Sequence, residues 1–334
     1  MSFLDDLPEE EKQRARKTEQ PSWMAPMLAK LTHDHFSDSN WIFERKLDGE
    51  RCLAFKRDGK VRLLSRNKKD MNDTYPELVK AMENRDADGC IVDGEIVAFE
   101  GNVTSFSKLQ QRMHVRGTGE PSRDIPVYYY LFDVLYAEGR DITKLPLRSR
   151  KRLLKRLIDY EDPLRYTTHR NERGREFLRD ACGKGWEGLI AKKADSPYVH
   201  SRSSNWLKFK CVNQQEFVIG GYTDPEGERI GFGALLIGYY EDGDLRYAGK
   251  VGTGYDDETL RALRERLESI TTDDCPFDAG DPPESAHWVE PRLVGEVGFT
   301  EWTPDGRLRH PRYLGLRDDK EPKEVIRERP KERS

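Results

Sequence analysis

Glu44-Arg45-Lys46-Leu47-Asp48-Gly49-Glu50-Arg51 joins two strand-like runs, Trp41–Arg45 and Arg51–Lys56, and its reading decides the fold. The lysine stands where a strand gives way to an Asp-Gly turn. A lysine attacks an electrophile only as the neutral amine, and proteins favour that form by burial or by neighbouring cations. Arg51 is one such cation in the sequence. Taken alone, the stretch also reads as a charged β-turn, since Asp-Gly turns flanked by Lys and Arg are common. The pattern K-x-D-G-x-R fixes four positions, however, and should occur by chance in under about 1% of chains of this length.

Around this stretch lie 334 residues with 57 Lys+Arg, 61 Asp+Glu and a formal net charge of −4. That length predicts about two domains. Charged residues make up 35% of the chain and no apolar run is long enough to span a membrane. The opening MSFLDDLPEEEKQRARK has mixed charge and no apolar core, so it does not read as a secretory signal. Cys52, Cys90, Cys182, Cys211 and Cys275 are scattered and never spaced C-x-x-C, which argues against a disulfide framework and a zinc site and fits a reducing cytoplasm. The near-neutral total leaves a nucleic-acid partner open, because local patches decide such binding.

Residues 1–22 read as a flexible polar arm. Up to Cys211, strand-like runs at 41–45, 51–56, 61–65, 90–99, 126–135 and 188–192 are punctuated by Asp58-Gly59, Asp88-Gly89 and Glu138-Gly139. Pro76–Asn84 and Leu147–Tyr160 read as helices, the latter with Leu153, Leu154, Leu157 and Ile158 inward and six Lys or Arg outward. Strands and helices do not alternate regularly, so this half is α+β rather than doubly wound. From residue 212, short runs at 216–223, 234–240, 245–251, 287–291 and 293–300, with one helix at 256–270 capped by Asp256 or Asp257, predict a small OB-type β-barrel. Thr272–Glu284 reads as a loop and 321–334 as a flexible tail.

The lysine stretch resembles motif I of the covalent nucleotidyltransferases, the superfamily of DNA ligases, RNA ligases and mRNA capping enzymes. Further resemblances follow in order. Ser65-Arg66-Asn67 is similar to motif Ia, Asp93-Gly94-Glu95-Ile96-Val97 to motif III, and Tyr130–Tyr136 to motif IIIa. Glu187–Lys192 is similar to motif IV, Trp206–Lys210 to motif V, and Arg317-Asp318-Asp319-Lys320 to motif VI. The resemblance implies a nucleotidyltransferase (adenylation) domain at 23–211 and an OB-fold domain at 212–320. It implies that Lys46 becomes linked to AMP, that Glu44, Arg51, Glu95, Phe132, Ile190, Lys208 and Lys210 hold ATP, and that Glu95 and Glu187 serve Mg²⁺ or Mn²⁺. Asp319 and Lys320 are implied in catalysis over the pyrophosphate. Some residue types have their own physical reason. Lys208 and Lys210 alternate with Leu207 and Phe209, so on a strand both ammonium groups share one face, suit a polyphosphate and disfavour a charged Lys46. Glu95 and Glu187 are hard oxygen donors of the kind Mg²⁺ takes.

Met24–Ala29, Ser105–Arg112, Val212–Tyr222 and His310–Lys320 resemble segments of ATP-dependent DNA ligases, the second and last those of bacterial and archaeal end-joining enzymes. That resemblance implies sealing of 5′-phosphate/3′-OH nicks in double-stranded DNA by a monomer in a prokaryotic, nucleoid-associated cytoplasm. It implies a Ku-type end-binding protein and a separate primase-like polymerase as partners. Arg66, Lys68, Lys69 and Arg112 are candidate DNA-phosphate contacts, while the basic run Arg148–Arg156 reads as a solvated helix face. Two alternatives use the same residues: an RNA ligase or capping guanylyltransferase on this scaffold, and a DNA-end-binding module that has lost catalysis.

Overall fold

In the computed structural model, residues 7–113, 125–225, 227 and 229–328 are described. The chain divides at Cys211/Val212 into two compact units. The first runs α1 (Glu9–Arg14), β1 (Arg16–Lys17), β2 (Leu28–Leu31), β3 (Trp41–Lys46), β4 (Glu50–Arg57), β5 (Lys60–Ser65), α2 (Pro76–Glu83), β6 (Cys90–Glu100), β7 (Val103–Thr104), α3 (Phe106–Met113), β8 (Val127–Ala137), β9 (Arg140–Asp141), α4 (Leu147–Leu157), β10 (Leu164–Tyr166), β11 (His169–Asn171), α5 (Gly174–Gly183), β12 (Gly188–Lys193) and β13 (Arg202–Lys210). Its larger sheet has the order β1-β9-β8-β6-β4-β5, with β10 on β8 and β7 on β6; the smaller has β11-β3-β12-β13-β2. β3 and β4, on either side of the Asp-Gly turn, therefore belong to different sheets. The turn is tied down by its own aspartate: Asp48 Oδ2 accepts from Phe106 N at 3.0 Å, and Asp48 N donates to Thr104 Oγ1 at 3.1 Å.

Apolar layers hold the sheets. Leu63, Val92, Tyr129, Leu131 and Leu154 belong to a core on one face of the larger sheet, and Phe132, Tyr198 and Trp206 to a cluster between the two sheets. Phe43, Leu189 and Phe209 pack with α5 on the far side of the smaller sheet. Helix α4 departs from expectation. Leu153 and Leu154 face inward, but Arg150 is fully buried and Lys151 nearly so. Arg150 donates to both oxygens of buried Asp133 at 2.8 and 2.9 Å, and Lys151 donates to Glu44 at 2.5 Å. A buried carboxylate offsets the desolvation of each cation, so the helix turns two of its basic residues inward.

Cys182 and Cys211 form a disulfide, contrary to the reading of the cysteines as unpaired. Cys182 closes α5 while Cys211 follows β13 and donates its N–H to Glu187 O at 3.0 Å. Two elements far apart in sequence bring the sulfurs together. The leading arm is also more structured than expected over its described part. β1 pairs with β9, and Leu7 and Ala15 are buried.

The second unit comprises β14 (Asn213–Tyr222), β15 (Leu235–Glu241), β16 (Asp244–Val251), α6 (Asp257–Glu268), β17 (Thr271–Thr272), β18 (His287–Phe299), β19 (Glu301–Trp302), β20 (Leu308–Arg309) and β21 (Arg312–Leu316). Its sheet order is β16-β15-β14-β18-β17, with β21 on β18. Asp256 is the N-cap of α6, accepting from Thr259 N at 2.8 Å. The two runs expected at 287–291 and 293–300 are one continuous strand through Pro291. Residues 321–328, expected to be loose, dock on this unit: Tyr240 N donates to Val325 O at 2.7 Å and Glu328 N to Gln215 Oε1 at 2.9 Å. The remaining ends expected to be flexible, 1–6 and 329–334, lie outside the described residues.

Candidate active site

Register in the smaller sheet builds the site. Residues directly opposite one another in an antiparallel pair share a face. Gly188 lies opposite both Lys46 and Lys210, and Ile190 opposite both Glu44 and Lys208. Lys192 lies opposite Ile42 and Trp206. Three rows therefore run across β3, β12 and β13 on the face turned toward the larger sheet. Lys46 sits at the strand end, where its Nζ donates to Glu187 Oε2. Gly188, between the two lysines of the first row, has φ +148°, and a Cβ there would meet Phe209 O at 2.0 Å. Only a bare backbone lets β12 and β13 close at this point.

The larger sheet supplies the opposite wall. Arg51 on β4 is opposite Glu95 on β6, and its guanidinium donates to both oxygens of fully buried Asp93 at 2.6 Å. Tyr198 donates to the same carboxylate at 2.6 Å and accepts from Met27 N at 2.8 Å. Burial opposes charge on Arg51, but Asp93 more than reverses this and raises its pKa above the ordinary value. The Arg51 guanidinium lies 4.4 Å from the centre of the Phe132 ring, and Lys192 Nζ lies 4.2 Å from it. Lys192 also lies 4.1 Å from the Trp206 ring. The ring expected to stack on a base is thus already flanked by two cations.

Glu44, expected to hold the nucleotide, is paired inside the protein. It is only 2% exposed, and its two oxygens are 2.5 Å from Lys151 Nζ and 2.5 Å from Lys192 Nζ. Burial alone would raise its pKa; Lys151 and Lys192 outweigh burial and hold the carboxyl below its ordinary range. For Lys192, burial is the larger effect and lowers its pKa. Sequence reading missed Lys151, Lys192 and Asp93 as parts of this network. Lys192 carried a signal, since it follows Ile190 by two and so shares its face.

Arg66, Lys68 and Lys69 lie on the turn after β5, where Lys69 N donates to Ser65 Oγ at 3.0 Å and Lys68 has φ +63°. Lys68 and Lys69 are exposed. Arg112 does not join them. It is 3% exposed and donates to both oxygens of Glu77 at 2.6 and 2.8 Å, so it ties α3 to α2 and is no surface phosphate contact. On the second unit, Arg317 holds Asp319 through two donors at 2.8 and 3.0 Å and also donates to Glu296 at 3.1 Å. Lys320 Nζ is 3.2 Å from Glu216. Burial raises the Asp319 pKa, but Arg317 and Lys320 reverse this and keep it low.

Residues 26–210 match the family described as ATP dependent DNA ligase domain, and 228–320 that described as ATP dependent DNA ligase C terminal region. The chain belongs to the ATP-dependent DNA ligases. Its two units are the nucleotidyltransferase and OB-fold domains of that family. It is 39% identical over 322 residues to the multifunctional non-homologous end joining protein LigD of Pseudomonas aeruginosa, covering 94% of this chain and 38% of that protein. It is 40% identical over 316 residues to the multifunctional non-homologous end joining DNA repair protein LigD of Mycobacterium tuberculosis H37Rv, covering 91% and 40%. The chain therefore spans about two fifths of the length of these relatives. A solved structure of mycobacterial DNA ligase D complexed with ATP and MES is 36% identical, with a TM-score of 0.65 over 91% of this chain and 98% of that one. Among the described residues of this ligase, no helix is long and apolar enough to cross a membrane.

Proposed function

We propose that this chain seals 5′-phosphate/3′-OH nicks in duplex DNA, using ATP and a lysyl-AMP intermediate on Lys46. The observation that carries the reading is the row Lys46–Gly188–Lys210, with Glu187 on the Lys46 amine and Lys208 in the next row. One nucleophile stands among cations suited to a polyphosphate, on the sheet face whose apolar cluster holds Phe132 and Ile190.

Lys46 attacks the α-phosphate of ATP as the free amine, a P–N bond forms and pyrophosphate leaves in line. Glu187, which accepts from the resting ammonium, keeps the amine in place. Lys208 and Lys210 offset the charge that grows on the phosphates, a task of positioning and electrostatics. AMP then passes to the 5′-phosphate at the nick, and the 3′-OH attacks that phosphate and expels AMP. Asp319 and Lys320 act on the pyrophosphate in the first step. Arg66, Lys68 and Lys69 contact the DNA backbone.

No group of three or more His, Cys, Asp or Glu that could hold a metal is present among the described residues. Two carboxylates, Glu95 and Glu187, fit a hard divalent cation that takes its other ligands from phosphate and water, as Mg²⁺ does. When bound there, it would offset phosphate charge. The reading also places the chain in double-strand-break repair in a prokaryotic cytoplasm, beside a Ku-type end-binding protein and a separate polymerase.

Incubation with α-labelled ATP and a divalent cation, followed by a denaturing gel, tests the first step. Sealing of a 5′-phosphorylated DNA nick tests the whole. Label on the wild type, none on Lys46→Ala, and ATP-dependent joining are expected. GMP transfer to an RNA end, or no label with either Mg²⁺ or Mn²⁺, would overturn the reading.

A further inference from the structure

Arg45 and Lys46 point to opposite faces of β3, because side chains alternate along a strand. Arg45 lies opposite Leu189, on the face that packs against α5. Its guanidinium lies 4.3 Å from the centre of the Trp186 ring and 5.9 Å from that of Phe99. One nitrogen donates to Thr104 Oγ1 at 3.4 Å, while Nε is buried without a hydrogen-bond partner. No carboxylate among the described residues pairs with it. This sets Arg45 apart, since Arg51, Arg150, Lys151 and Arg317 each have a carboxylate within 3.1 Å. Burial lowers the Arg45 pKa, with only Tyr130 acting against it.

A second cation meets the same ring. Lys184 caps the C-terminus of α5, and its Nζ lies 5.3 Å from the Trp186 indole. A helix C-terminus favours a cation and accounts for Lys184 in part. It does not account for Arg45, and two like charges sharing one indole without an acid repel each other unless an anion joins them.

We propose that Arg45, Trp186 and Lys184 form an anion site that holds a backbone phosphate of DNA beside the nick. The proposal rests on the ligase reading above. A guanidinium over an indole, with N–H donors beyond the one that Thr104 takes, suits the planar hydrogen bonding of a phosphate better than a lysine does. Trp186 directly precedes Glu187, the partner of Lys46, and Gly188 lies opposite Lys46 where Leu189 lies opposite Arg45. The site thus borders the reacting amine. Its place on the opposite face of β3 from Lys46 favours DNA over the triphosphate of ATP, which shares the same chemistry.

Anisotropy of a labelled, 5′-phosphorylated nicked duplex with the full chain, without ATP or divalent cation, tests this at salt from roughly 50 to 200 mM. Arg45→Met is expected to weaken binding about tenfold at low salt. It should also reduce the slope of log K against log salt by about 0.9, the value for one lost phosphate contact. Lys184→Met, at an exposed position, should shift both in the same direction, and Arg45→Lys should recover only part of the loss. The KM for ATP in Lys46 labelling without DNA should stay at the wild-type value. Unchanged affinity and slope in Lys184→Met and in folded Arg45→Met would overturn the proposal. So would a raised KM for ATP with unchanged nick binding, since that result assigns the site to the triphosphate. A wild type that neither takes label nor binds nicks would overturn the ligase reading instead.

Discussion

Replacing Gly188 by alanine adds one methyl group where β12 begins, opposite Lys46, the proposed nucleophile. The new Cβ would stand 2.0 Å from Phe209 O and 3.0 Å from Lys210 Cα. Both are backbone atoms that cannot swing aside. Real Cβ atoms essentially never approach closer than 3.0 Å, so β13 must retreat by about 1 Å. Lys210 rides on β13 and Lys46 on β3, one on each side of Gly188, and the retreat opens the row that places both amines on the same phosphates. A misplacement of about 1 Å costs on the order of 100-fold in rate, equivalent to about 2.7 kcal/mol of barrier. The strain of a non-glycine residue at φ +148° adds a loss of stability of about 1–3 kcal/mol. That is smaller than the 5–15 kcal/mol typical of folded domains, so the fold should persist. Rapid-quench labelling of Lys46 from α-labelled ATP, with ATP varied to separate kcat from KM, reads the effect, and a melting curve checks the fold. A folded Gly188→Ala that labels within about threefold of the wild-type rate would refute the argument that this row positions the chemistry.

Arg150→Met leaves the fully buried Asp133 carboxylate without its partner, so stability should fall by about 3–5 kcal/mol. The melting temperature should drop by roughly 6–20 °C, and Arg150→Met/Asp133→Leu should recover most of it; equal melting of single variant and wild type would sink this. Glu44 is held ionised below its ordinary range by Lys151 and Lys192, so below about pH 4.3 the unfolded chain takes up a proton that the folded chain refuses. The triad's stabilisation is therefore present above that pH and lost as pH falls, and Glu44→Gln should flatten the acid side of the stability curve. An unchanged acid limb in urea melts at stepped pH would contradict it. Lys320→Ala should slow lysyl-AMP formation by at least about tenfold, yet spare sealing of pre-adenylylated nicks; loss of both would remove Lys320 from the first step.

How much of this could be read in the sequence depends on the range of the forces involved. The placing of Lys208 and Lys210 on one face, with Leu207 and Phe209 buried behind them, follows from the two-residue period of a strand and needs no tertiary knowledge. The Asp-Gly turn after Lys46 is local in the same sense. Arg150 and Lys151 show where local reasoning misled. Leu147, Arg150, Lys151 and Leu154 fall at i, i+3, i+4 and i+7, the spacing of one helix face, so the period itself turned the two cations inward. Residue type outweighed spacing because the carboxylates that admit them, Asp133 on β8 and Glu44 on β3, are distant in the chain. The same holds for Arg51 with Asp93 and for Arg112 with Glu77. The cations around the site are therefore sorted by partners that only the fold brings together. Arg51, Arg150, Lys151 and Lys192 are each fixed to a carboxylate that is itself nearly or fully buried. Lys46 is also paired, but at the strand end with 20% of its side chain exposed. Its partner Glu187 is itself only 7% exposed, so in the proposed reaction a phosphate that takes over the Lys46 amine must leave that carboxylate another cation, the place a divalent metal would fill.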